Sequence, residues 1–165
     1  MSKIETLQKV LEQEAITTRK MLSRVPDEQL DWQPHPKSMT LRRLAAHVAE
    51  LPGWVGMVFN TNELDFQQNN YAPRTINDSK ELMQYFDENL QDAREQLKKA
   101  EEDQLDELWT LRSGAQIYST EPKEEVLRMT YSQIIHHRAQ LGVYLRLLDI
   151  PIPGSYGPSA DETGH

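Results

Sequence analysis

The stretch 131-YSQIIHHRAQLGVYLRLLD-149 decides how the chain is read. Leu127, Ile134, Leu141, Leu145 and Leu148 recur at steps of three, four or seven, the spacing of one helix face. The spacing predicts the central part of a long last helix. The same side of the wheel carries Gln133, His137, Gln140 and Tyr144. Polar groups that ligate or hydrogen-bond therefore sit beside an apolar stripe, and a buried one without a partner costs about 1–3 kcal/mol. The chain must supply partners there, or a metal or water. His136 and His137 are adjacent, about 100° apart on a helix, so both cannot face one site. His137 lies one turn from Gln133, and His136 points to a flank.

Working outward, Thr120 is the expected cap of this helix, with Pro122 in its first turn and Glu121, Glu124 and Glu125 near its positive end. Pro151 stops it. Before it, residues 108–119 hold two short runs around Ser113-Gly114, the pattern of a short β-hairpin. A third helix is predicted over about 78–102, with Asp78 and Glu81 at capping-box spacing. A second starts near Thr40, where Leu44, His47, Leu51, Trp54 and Val58 share a face. Pro52 should kink it one turn after His47. Glu50, three residues beyond His47, reaches the same region. The first helix covers 2–24, capped by Ser2 and ended by Pro26. Residues 26–37 hold three prolines and read as a loop, with Trp32 over the end of the core and His35 exposed. Residues 60–74 read as a loop as well. The last ten or so residues, rich in Pro, Gly and Ser, read as a flexible tail in which Tyr156 pins part.

With 165 residues, the chain is long enough for one domain with a real core and short for two, so 1–165 is read as a single domain. Four long amphipathic segments make the predicted fold all-α, a four-helix bundle with the hairpin before the last helix. No apolar run approaches the ~20 residues of a membrane span, and the N-terminus has no apolar signal core, so a cytoplasmic protein is expected. The absence of cysteine excludes disulfides, thiolate metal sites and a cysteine nucleophile. A net charge of −8 opposes nucleic-acid binding, and Arg42-Arg43 reads as a solvated helix face.

His47 and His137 both face inward. Spacing alone leaves two readings: core histidines satisfied by hydrogen bonds, or metal ligands. In the second, Gln133 and His137 form an i, i+4 pair and His47 is the third donor, a three-ligand pattern with an open position. An amide is a poorer ligand than imidazole.

The segments 34-PHPKSMTLRRLAAHVAELPGW-54, 109-WTLRSG-114 and 136-HHRAQLGVYLRLLDIPIPGSYGPSADE-162 resemble the DinB/YfiT-like family of metal-binding four-helix-bundle proteins. The resemblance covers nearly the whole chain. It implies a divalent metal, zinc or nickel, on three histidines. His47 matches the first, from the second helix. His137 matches the second histidine of an H-x-x-x-H pair on the last helix. The first of that pair falls at Gln133, where this chain departs from the family. The resemblance further implies a metal-dependent transferase or hydrolase acting on a small molecule, in particular an S-transferase using a low-molecular-weight thiol such as bacillithiol or mycothiol. Glu50, Tyr118 and Tyr144 are the candidate assisting groups. It implies a homodimer. The alternative is a non-catalytic dimeric small-molecule-binding module that has lost the full metal site.

Overall fold

The computed structural model describes residues 1–69 and 74–164. Part of the loop expected over 60–74 (residues 70–73) and the last residue of the tail lie outside them. The chain is mostly helical: α1 (Lys3–Leu22), α2 (Leu41–Glu50), α3 (Trp54–Asn60), α4 (Ser79–Lys99), α5 (Lys123–Leu147) and a short α6 (Ala160–Thr163). Three strands, β1 (Glu63–Asp65), β2 (Leu108–Ser113) and β3 (Gln116–Pro122), form one small sheet. Among the described residues no helix is long and apolar enough to cross a membrane.

The caps read from sequence form locally. Ser2 Oγ accepts from Glu5 N, and Glu5 returns a carboxylate to Ser2 N, a complete capping box. Thr40 and Asp78 cap α2 and α4 through the backbone N–H groups of Arg43 and Glu81. Pro52 breaks the second helix outright. A 3₁₀ turn at Leu51–Gly53 separates α2 from α3, because proline offers no N–H to the helical ladder. The break lets α3 lie close on α4. A Cβ on Gly56 would meet Asp92 Oδ2 at 2.3 Å.

Helix α5 is the centre of the packing, touching α1, α2, α3 and the sheet. Leu127, Ile134, Leu141 and Leu145 are buried in one core cluster with Leu11, Leu22, Leu44, Val48, Leu82 and Phe86. Two of its inward polar groups find partners on other elements. Lys123 donates to Glu107 at 2.6 Å, and the Tyr131 hydroxyl donates to the Leu7 carbonyl at 3.1 Å.

The all-α expectation is corrected to a mostly helical fold with a three-stranded sheet. The hairpin forms around Gly114, whose φ of +57° suits glycine. β1 adds in parallel to β2, with Leu64 opposite Leu111. Only three residues long and without alternation, β1 has no pattern of its own. Asp65 Oδ1 anchors it by accepting from Gly114 N and Gln67 N, both at 2.9 Å. Thr120 does not cap α5. It belongs to β3, with its hydroxyl 3.0 Å from that of Thr110, and sheet pairing holds the backbone as far as Pro122.

The C-terminal segment is held by contacts as far as Gly164. Asp149, at φ 58°, turns the chain off α5, and residues 150–164 fold back as a strap. Ser159 Oγ donates to the Ile152 carbonyl, and Arg146 holds Asp161. The Arg146 guanidinium takes the Asp161 carboxyl down to about 2. Tyr156 pins the strap, as expected, but on a partner the sequence did not announce. Arg138, only 1% exposed, donates to Glu14 Oε2 at 2.6 Å, to Thr18 Oγ1 and to the Tyr156 hydroxyl. That hydroxyl donates in turn to the Glu14 carboxylate at 2.9 Å.

Removing one partner of a buried ion pair leaves an uncompensated charge. Arg138→Met should therefore cost about 3–5 kcal/mol in denaturant unfolding, and Arg138→Met with Glu14→Leu distinctly less.

Candidate functional site

The candidate site lies between α2, α4 and α5. The His47 and His137 rings meet edge to face with centroids 4.5 Å apart. Helical phase explains the meeting, since both sit half-buried on the inward side of their helices. Trp54 lies edge-on to His47 at 6.2 Å. His136 is exposed, and its ring reaches only the flank of His137, at 4.8 Å.

Each ring is held at Nδ1. His47 Nδ1 lies 2.6 Å from Glu50 Oε1, and His137 Nδ1 lies 2.8 Å from Gln140 Oε1. A carboxylate and an amide oxygen only accept, so both neutral rings carry their proton on Nδ1. Both Nε2 lone pairs are thereby left for a ligand. Glu50 is buried and also accepts from the Tyr85 hydroxyl, at 3.4 Å. Burial, and then the Glu50 charge, raises the Tyr85 hydroxyl above its ordinary range. Burial lowers His137 below the ordinary histidine value. His47 and His136 push the same way, and the Gln140 hydrogen bond opposes them.

Gln133 is half-buried one turn before His137, and its side chain makes no hydrogen bond with a described residue. Among the described residues, no three His, Asp or Glu side chains gather into a metal cluster. The donor set for a divalent cation is thus two oriented imidazoles with an amide as the third, weaker donor. That set fits a cation, with less than a three-imidazole grip.

The other assisting candidates stand apart. Tyr144 donates to the Met39 carbonyl at 3.1 Å and meets Trp32 edge-on. Tyr118 is exposed on β3 against Phe66. The Tyr85 hydroxyl contact with Glu50 was not legible in the sequence. Tyr85 and Glu50 are 35 residues apart, and no local spacing joins them.

A DinB-family sequence profile matches residues 1–163, and the chain belongs to the DinB family. It is 27% identical over 153 residues to the uncharacterised protein YrdA of Bacillus subtilis, covering 90% of this chain and 85% of that one. In fold it is similar to a DinB-like protein from Bacillus cereus ATCC 10987, with a TM-score of 0.73 and 20% identity, over 94% of this chain and all of that one. It is similar also to the DinB-like protein YjoA of Bacillus subtilis, with a TM-score of 0.71 and 16% identity, over 91% and 97% of the two chains.

The lowered His137 value sets a pH dependence. Between the folded value and the ordinary one, about 6.5, the unfolded chain binds more protons, so stability rises with pH. Acidifying metal-free protein from that ordinary value should lower its melting temperature until the folded value is passed. His137→Asn should flatten that part of the curve.

Proposed function

We propose that this DinB-family protein binds a divalent cation, zinc or nickel, through His47 Nε2 and His137 Nε2, with the Gln133 side-chain oxygen as third donor. The observation that supports this most is the pair of facing imidazoles, each held at Nδ1 so that Nε2 is free to ligate. We read α1, the broken α2–α3, α4 and α5 as a four-helix bundle, in which inward side chains on facing helices build such sites. When bound, a divalent ion would lower the pKa of a coordinated thiol or water and supply a nucleophile at neutral pH.

The chain's own residues hold and shape the site. Glu50 and Gln140 fix the two rings, and Trp54 lies against His47. His137, lowered by burial, stays neutral and able to donate its lone pair. In this reading the protein is a metal-dependent transferase, cytosolic, whose thiol is an external low-molecular-weight cofactor, a reading that the absence of cysteine in the chain fits. A second reading, a small-molecule-binding module without catalysis, is favoured by Gln133 standing where the family resemblance puts an imidazole.

Titration calorimetry with zinc and nickel tests the site. His47→Ala and His137→Ala should abolish binding, and His136→Ala should leave it unchanged. Gln133→His should tighten it at least tenfold, about 1.4 kcal/mol. If wild type binds no metal and Gln133→His does, the second reading stands. Thiol-transfer assays with and without metal then address catalysis.

The homodimer is proposed on the outer side of α5. Val143 and Leu147 are 59% and 58% exposed there, although the inward side of the helix is also apolar. A helix apolar on both sides is normally buried on both. Light scattering should show a dimer at micromolar concentration and a monomer for Val143→Glu/Leu147→Glu.

A further inference from the structure

We infer that Glu50 is the positioning residue of the site: with Tyr85 behind it, it fixes the orientation and tautomer of His47 and makes His47 the stronger of the two ligands. The inference rests on the metal-site reading of His47 and His137.

Glu50 is 6% exposed at the last position of α2, followed by the 3₁₀ turn that Pro52 imposes. A carboxylate in that position is costly to desolvate, and an apolar side chain would fill the volume with no such cost. Its presence therefore needs a reason other than packing, and its contacts supply one. One oxygen accepts a hydrogen bond from His47 Nδ1–H at 2.6 Å. The other accepts from Tyr85 on α4 at 3.4 Å. The Tyr85–Glu50–His47 chain thus ties a ring on α2 to a separate helix. His47 and Glu50 are three residues apart on α2, which puts the carboxylate on the same face as the ring.

The two imidazoles are consequently unlike. His137 is held by the neutral amide of Gln140 on its own helix. His47 is held by a carboxylate, which raises the basicity of the ligating nitrogen as an amide does not. Where the third donor is a weak amide, a stronger first ligand compensates. Partners of this kind typically change metal affinity by about 10–100-fold when removed.

The experiment reads the His47 tautomer in metal-free protein by two-bond 1H–15N imidazole spectra, and zinc affinity by calorimetry, in the same variants. In wild type, His47 is expected as the Nδ1–H form. Glu50→Leu should move it toward the Nε2–H form and weaken zinc at least tenfold, with the His137 pattern unchanged. Glu50→Gln keeps an acceptor oxygen but not the charge, and should retain the Nδ1–H form with a zinc affinity between those of wild type and Glu50→Leu. A merely structural role for Glu50 would move neither the tautomer nor the rescue. Should the leucine variant not fold, Glu50→Asp withdraws the carboxylate by one methylene and gives the same direction of change. The inference is overturned if His47 stays Nδ1–H without its carboxylate, or if Glu50→Gln loses as much zinc as Glu50→Leu. If wild type binds no zinc yet the tautomer follows Glu50, the metal reading falls and the positioning role stands.

Discussion

Polar side chains on a helix surrounded by other elements must be given partners, because water is no longer there to solvate them. On α5 that constraint organises much of the molecule. Lys123 at its start is only 2% exposed and is met by Glu107 and the Phe59 carbonyl, which brings the approach to β2 and the end of α3 to one point. Tyr131 is met by the Leu7 carbonyl on α1. Arg138 is met by Glu14, Thr18 and Tyr156, which joins α1, α5 and the C-terminal strap. Each contact satisfies a desolvated group and at the same time places an element. Leucines alone could bury the same area, but they would specify relative position less sharply.

His137 and Arg138 show how one helix serves two ends. They are neighbours in sequence and about 100° apart around the axis. Arg138 turns toward α1 and the strap, where it is neutralised. His137 turns toward α2, where it meets His47. The strap and the histidine pair therefore sit on different sides of the same turn. A change in the Arg138 cluster is felt at the site only through the position of α5.

The site is asymmetric for a reason that lies in α2. Pro52 ends the helix two residues after Glu50, so the carboxylate is presented at a helix terminus, within reach of α4. The same break brings α3, with Trp54, against the His47 ring. One proline thus shapes the packing on α4 and the surroundings of one imidazole, while the other imidazole keeps an ordinary helical partner four-fifths of a turn along, at Gln140.

What the sequence by itself determined were the features carried by local periodicity and local caps. The four long helical segments, Ser2, Thr40 and Asp78 as caps, the Gly114 hairpin, an interruption of the second helix at Pro52, read as a kink, and the inward phase of His47 and His137 all follow from residues within a turn or two of each other. The tertiary structure alone decided what depends on partners distant in the chain. β1 exists because Asp65 can reach Gly114, 49 residues away. Thr120 is a strand residue because Thr110 lies across from it. Arg138, which looks in sequence like one more surface arginine, is buried because Glu14 is 124 residues earlier and next to it in space. The tail is a strap because Tyr156 completes that same pair. Periodicity tells which way a side chain faces, but whether a charge can stay buried there depends on the partner that packing brings to it.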